Sequence, residues 1–231
     1  MSSYVSLLSG GLDSTVATFM AAQLGGVGIC LVFDYGQRAV KREIDATKKI
    51  AKQLGSELRV IRLPFLEEVT STALVMNDKV IPQVKMSKLD DRTEAEKSAM
   101  QVWVPNRNGL FLNIAAAIAE GEGFSEIIVG FNAEEAATFP DNSANFVDRM
   151  DRCFELSTLT RIQVKAPTIG MTKTEIVKAG LKVRAPFDLV WSCYRDRKKM
   201  CGRCESCVRS IRAYQNNNLW PQMQKRFEAL T

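Results

Sequence analysis

Along its first 65 residues the chain alternates short apolar runs with amphipathic stretches. Val5-Ser6-Leu7-Leu8 predicts a strand over 4–8, and the small and apolar residues after it predict a helix over 14–24. A second apolar run, Val27 to Phe33, reads as a strand that ends at Asp34-Tyr35-Gly36. Val40, Ile44, Thr47, Ala51 and Leu54 recur at helical spacing and place a helix from about Ala39 to Leu54. Leu58 to Leu63 then reads as a third strand, closed by Pro64. This β-α-β-α-β order predicts an α/β fold: a doubly wound parallel sheet with right-handed crossovers, whose ligands sit at the carboxyl ends of the strands.

The pattern weakens in the middle. Residues 77–101 are polar and charged with little periodicity and predict a long loop, a candidate lid. Asn106 and Asn108 are placed to cap an apolar helix from Leu110 to about Glu120, and Glu126 to Val129 reads as a strand running into Gly130-Phe131-Asn132. A loop carrying Glu134, Glu135, Pro140 and Asp141 precedes a helix near 143–156, and a further strand is expected over 161–164. Thr172-x-x-Glu175 is a capping box that opens a helix over 173–179. Beyond Pro186 the pattern changes, which divides the chain into an α/β domain over 1–185 and a C-terminal segment over 186–231. No apolar stretch reaches membrane-spanning length and no basic leader is visible, so a cytoplasmic protein without membrane contact is expected.

The sharpest chemical signal lies at the first strand-to-helix turn, Ser9-Gly10-Gly11-Leu12-Asp13-Ser14-Thr15. Two glycines let the backbone turn tightly and point successive N–H groups inward, and the following helix adds its positive end. The loop has no lysine, so it is not a Gly-x-x-x-x-Gly-Lys-Ser/Thr loop, nor does it read Gly-x-Gly-x-x-Gly. A phosphate cradle is the favoured reading; a Gly-rich turn with Asp13 as helix cap is the alternative. The chain contains no histidine, which removes the usual general base and the commonest metal ligand.

The second signal is Cys193-x7-Cys201-x2-Cys204-x2-Cys207. Four thiolates this close repel unless a cation sits among them, and four sulfurs suit a closed structural zinc site. An iron–sulfur cluster uses the same ligands, and disulfides are the remaining alternative. Cys30 and Cys153 lie in apolar patterns and are expected to be buried structural thiols. Nine Lys and Arg against Asp196 and Glu205 lie between Cys193 and Arg226, within a net charge of +5. A zinc knuckle holding RNA is one reading of them. A solvated surface compensating the thiolates is favoured, leaving nucleic acid the less expected partner.

The loop at Ser9–Ser14 resembles that of the N-type ATP pyrophosphatases of the PP-loop superfamily. Together with Phe33-Asp34-Tyr35-Gly36-Gln37-Arg38, Val104-Pro105-Asn106-Arg107-Asn108 and the cysteine quartet, it makes nearly the whole chain resemble the 7-cyano-7-deazaguanine synthase family. That resemblance implies an adenine nucleotide alpha hydrolase-like sheet and a zinc-bearing helical appendage. It also implies an ATP-dependent ligase that turns 7-carboxy-7-deazaguanine and ammonia into the nitrile, the queuosine and archaeosine precursor, in a homodimer. By it, ATP is held by Leu8, Ser9, Gly10, Gly11, Leu12, Asp13, Ser14, Thr15, Val16, Ala17, Thr18, Asp34 and Tyr35. Asp13, with magnesium, Ser14 and Lys173 are the candidate catalytic groups, although a solvated first-turn lysine is as good a reading of Lys173. The heterocyclic carboxylate falls to Arg107, Phe131, Asn132, Glu134 and Asp141, and Cys193, Cys201, Cys204 and Cys207 hold the zinc.

This sequence departs from the family at Ala39, where a histidine is usual, at Asn106, where a glycine is usual, and over Glu134–Ser143, where only Pro140-Asp141 and an aromatic remain. The alternatives are therefore a PP-loop enzyme adenylating another small carboxylate, or one thiolating a transfer RNA base.

Overall fold

The computed structural model describes residues 4–229. Strands β1 (Tyr4–Leu7), β2 (Val27–Asp34), β3 (Glu57–Arg62), β4 (Glu126–Ile128) and β5 (Gln163–Lys165) form one parallel sheet in the order β3-β2-β1-β4-β5. The order reverses beside β1, so a crevice opens where the chain leaves the carboxyl ends of β1 and β4. Helices α1 (Leu12–Ala22), α2 (Val40–Leu54), α3 (Pro64–Val69), α4 (Arg92–Val102), α5 (Arg107–Gly121), α6 (Ala133–Ala136), α7 (Ala144–Ser157), α8 (Lys173–Lys182), α9 (Glu205–Asn216) and α10 (Trp220–Met223) complete the described regions.

Both faces of the sheet are covered, which is why β2 reads as a continuous apolar run rather than an alternating one. One apolar cluster joins Leu12, Val16 and Phe19 of α1, Ile50 of α2 and Ile176 of α8; the other joins Ile29, Leu31 and Phe33 of β2 to Leu112 and Ala116 of α5. The C-terminal segment belongs to the first cluster, through Trp191, the four cysteines and Tyr214. Its Trp191 N–H donates to Gly10 O at 2.8 Å and ties it to the phosphate loop.

The capping box at Thr172 and Glu175 opens α8 as expected. Three expectations are corrected. The 77–101 stretch is not a structureless loop: it holds most of α4, capped by Asp91 accepting from Glu94 N–H at 3.3 Å, and buries Ile81, Leu89 and Ala99. The buried positions of α4 are few and small, so its apolar stripe is too narrow to register as periodicity. Helix α5 starts at Arg107, with Asn106 in the left-handed region (φ 52°) making no side-chain cap, and Asn108 lies inside the helix. Cys153 is exposed, because α7 turns Val147, Met150 and Phe154 inward and leaves position 153 on the outer face. Cys30 is buried as expected, and burial pushes its thiol up to about 11.

Candidate active site

At the end of β1 the chain reverses through Gly10 (φ +75°), where a Cβ would lie 2.8 Å from Ala46 Cβ and 3.0 Å from Glu43 O. Only glycine fits a backbone so turned and so confined. Gly11 is the N-cap of α1 with no side-chain cap, so Asp13 does not serve as a helix cap and the first amides of α1 remain open to a ligand. Ser9 Oγ takes the Gly11 N–H at 3.3 Å and bonds Ser14 Oγ at 3.0 Å, fixing both hydroxyls on the loop. On the β4 side, a Cβ on Gly130 would sit 2.4 Å from Ser14 N, so the two loops meet backbone to backbone.

These loops form one end of a cavity of about 250 Å³. Leu8, Ser9, Gly11, Leu12, Asp13, Ser14 and Tyr35 line it. Gly10, Thr15, Val16, Ala17 and Thr18 stand behind as support; Thr18 Oγ1 donates to Ser14 O at 2.6 Å. Asp34 also lies off the cavity, accepting from Gly36 N–H at 3.3 Å.

Lys173 is buried and not solvated. Its Nζ lies 2.5 Å from Asp13 Oδ2 and 2.8 Å from Glu135 Oε1, joining residues far apart in sequence. Burial alone would lower the ammonium's pKa; the two carboxylates outweigh it and hold the pKa above the lysine range. Burial is also the largest influence on Asp13 and pushes it up to about 6 against the pull of Lys173. Glu135 stays below its ordinary range, because Lys173 and the Asn132 side chain overcome its burial. Asp13 Oδ1 is buried with no protein partner, an orphan acceptor suited to a cation.

The other end of the cavity is flat and aromatic. Phe33 and Phe111 stack at 3.9 Å with a 6° interplanar angle. Arg107 Nη1 donates to Tyr35 OH at 3.2 Å and its guanidinium lies 5.7 Å from that ring. Its charge survives burial because Tyr35, Asp141 and Glu135 favour it. Of the five residues expected at the carboxylate substrate, Arg107 and Phe131 line the cavity; Asn132, Glu134 and Asp141 do not. Asn132 caps α6, accepting from Glu135 N–H at 3.0 Å. Glu134 is drawn away by Arg209 and Arg212, and the Asp141 carbonyl accepts from Asn108 Nδ2 at 3.2 Å beneath the wall. Sequence reasoning missed Glu43, Trp191 and Tyr194 at the cavity. Glu43 accepts from Gln37 Nε2 at 2.8 Å, and burial raises its carboxyl pKa. Gln37, in the run Phe33–Arg38, is the sequence signal for this pair.

Behind Trp191, the Sγ atoms of Cys193, Cys201, Cys204 and Cys207 all lie within 4.8 Å of one another and all four residues are buried. Sulfurs around a tetrahedral zinc stand roughly 3.8 Å apart, close to the 3.9 Å between Cys201 and Cys207. All six cysteines are free thiols, and Gly202 (φ +68°) makes the knuckle. Backbone N–H groups of Cys201 and Cys204 donate to Cys193 Sγ and Cys201 Sγ at 3.4 and 3.3 Å, contacts that would favour the thiolate form a metal needs. The donor set fits a metal. Much of the basic segment is engaged internally: Arg197 pairs with Glu228, Arg209 with Glu134 and Glu205, and Arg212 with Asp90 and Glu134.

A family model described as Queuosine biosynthesis protein QueC matches residues 3–218, the phosphate loop and cysteine quartet included. The chain belongs to this family. Among its curated relatives, a protein of Pelotomaculum thermopropionicum named 7-cyano-7-deazaguanine synthase is 51% identical over 90% of this chain and 94% of its own length. Proteins of the same name from Methanosarcina barkeri and Carboxydothermus hydrogenoformans are each 47% identical, over 92% and 94% of this chain and 93% and 100% of theirs. The solved structure of NMN synthetase from Francisella tularensis covers 99% of this chain and 88% of its own, at a TM-score of 0.46 and 14% identity. Membership of the QueC family rests on the match over residues 3–218 and on likeness to relatives over 90% or more of this chain.

Proposed function

We propose that this chain is an ATP-dependent C–N ligase that converts 7-carboxy-7-deazaguanine and ammonia to 7-cyano-7-deazaguanine. The observation that carries this reading is the cavity itself, which joins an open helix N-terminus and the Asp13 carboxylate, backed by the buried Lys173 ammonium, at one end to a flat aromatic chamber with a guanidinium at the other. The names of the relatives point the same way.

A carboxylate does not react with ammonia, because it is negative and lacks a leaving group. Here Arg107 would hold the acid beside the aromatic rings while the amides of the Ser9–Ser14 loop take the phosphates and Lys173, from behind, holds Asp13 and Glu135 in place. A carboxylate oxygen attacks the α-phosphorus and pyrophosphate leaves, its growing charge met by preorganised N–H donors. Ammonia displaces AMP from the acyl adenylate to give an amide. The amide oxygen is adenylated in turn, and loss of AMP and protons gives the nitrile. Magnesium bound with ATP would be held by Asp13, whose Oδ1 lacks a protein partner, and would neutralise phosphate charge. Zinc held by the four cysteines would fix Trp191 and Tyr194 against the cavity. Ammonia entering free and a homodimeric assembly belong to the same reading.

The test is pyrophosphate release from ATP with 7-carboxy-7-deazaguanine and ammonium. The nitrile and two AMP per nitrile are expected. Turnover only with a different acid would move the protein to another substrate.

A further inference from the structure

Outside the cavity, one carboxylate joins three elements far apart in sequence. Glu134 Oε1 accepts the Lys173 backbone N–H at 2.7 Å, while its Oε2 accepts from Arg209 Nη1 at 2.6 Å and Arg212 Nη2 at 3.1 Å. Arg209 is itself fixed: its Nε and Nη2 hold Glu205 Oε1 at 3.0 and 2.9 Å, and Nη2 also donates to Leu89 O at 3.1 Å. Ser98 Oγ donates to Glu205 Oε2 at 2.5 Å. Glu205, Arg209 and Arg212 fall on one face of α9 by their spacing, and α9 begins at its N-cap Cys204. The network thus runs from the cysteine cluster to the first turn of α8.

Two physical consequences meet at Glu134. The Lys173 amide opens α8 and has no intrahelical partner, so Glu134 satisfies an orphan donor and places negative charge at the helix's positive end. Helix α6 is a single turn, with Glu134 and Glu135 adjacent on it. Clamping the first to the arginines fixes the rotation that delivers the second to the Lys173 ammonium. Burying this many charges is expensive compared with apolar packing, and here the return is geometry.

We propose that Glu134 is a positioning residue for adenylation: anchored by Arg209 and Arg212, it sets Lys173 and Glu135 against Asp13 without touching ATP or the acid. This rests on the adenylation reading above. Loss of its charge should lower kcat and leave both KM values near wild type, because the binding surfaces stay intact.

The experiment compares Glu134→Gln with wild type on whichever carboxylic acid supports pyrophosphate release. Metal content and thermal midpoint are measured on the same samples. A fall in kcat of about ten- to a hundredfold is expected, the usual size of outer-shell effects, with both KM values and the cysteine-bound metal retained. Asp90→Asn, which breaks only the exposed outer pair to Arg212, should keep wild-type kcat. If Glu134→Gln proves insoluble, Arg212→Gln removes the half-buried partner and should show the same split more weakly. Unchanged kcat, a rise in KM alone, or a loss of kcat only in proportion to lost metal would overturn the proposal. A wild type inert toward 7-carboxy-7-deazaguanine but active with another acid would instead contradict the substrate assignment.

Discussion

The two walls of the cavity are built on different principles. The phosphate wall is backbone: Gly10, Gly11 and Gly130 let main chains approach so closely that a Cβ at 130 would strike Ser14 N at 2.4 Å. The opposite wall, with Arg107, Phe111 and Phe131, is made of side chains, and the residues behind it are held by ion pairs and caps elsewhere in the fold. A backbone site tolerates little change because its donors are the chain itself. A side-chain site can be rewritten as long as its supports change with it.

The largest break in this comparison is expected where both walls meet, at Lys173. Lys173→Met leaves the largely buried Asp13 without its cation, and Glu135, 35% exposed, without its partner, a loss of about 3 kcal/mol, the low end of the usual cost of breaking a buried pair. Denaturant titration should show it, with pyrophosphate release abolished in whatever fraction folds. Gly130→Ala should come next: overpacking of this kind costs about 1–3 kcal/mol, and phosphate binding should fail with it. Gly11→Ala is the contrast, since its Cβ would meet only Ser9 Oγ at 3.2 Å and its φ is −74°. Isothermal titration with ATP separates the two variants.

The same contrast explains what could be read from the sequence. The phosphate loop, the capping box at Thr172 and the cysteine quartet are local patterns whose geometry follows from neighbouring residues. Lys173 stands out as a candidate catalytic group at a capped helix start, but its partners Asp13 and Glu135 lie 160 and 38 positions away and no periodicity reports them. Glu134 is assigned to the substrate by the family resemblance. Its capture by Arg209 and Arg212, 75 and 78 positions on, decides otherwise. Helix α4 was missed for a different reason, its buried face consisting of Ser98, Ala99 and Val102.

Smaller effects sharpen the picture. Asp13 is pushed up to about 6 by burial, so its carboxylate is lost as pH falls through that value. Turnover should decline below pH 6, and the rise of kcat with pH in a rate profile checks it. The same raised value means ionising Asp13 works against folding as pH rises from its unfolded value of 3.8 through 6. Glu43→Gln should leave stability nearly unchanged and weaken binding at the aromatic end by about tenfold, one charge-assisted hydrogen bond's share, seen as a KM change. Smallest of all, iodoacetamide at pH 8 should label Cys153 without loss of activity, while Cys30 stays unlabelled. Peptide mass mapping distinguishes them.

The central claim is that a carboxylate oxygen attacks ATP in this cavity. The most direct measurement supplies 7-carboxy-7-deazaguanine carrying oxygen-18 at both carboxylate positions, and weighs the AMP by mass spectrometry. The account predicts one heavy oxygen in each AMP, the first from the acid and the second from the amide. AMP without label, its extra oxygen drawn from water, would contradict it.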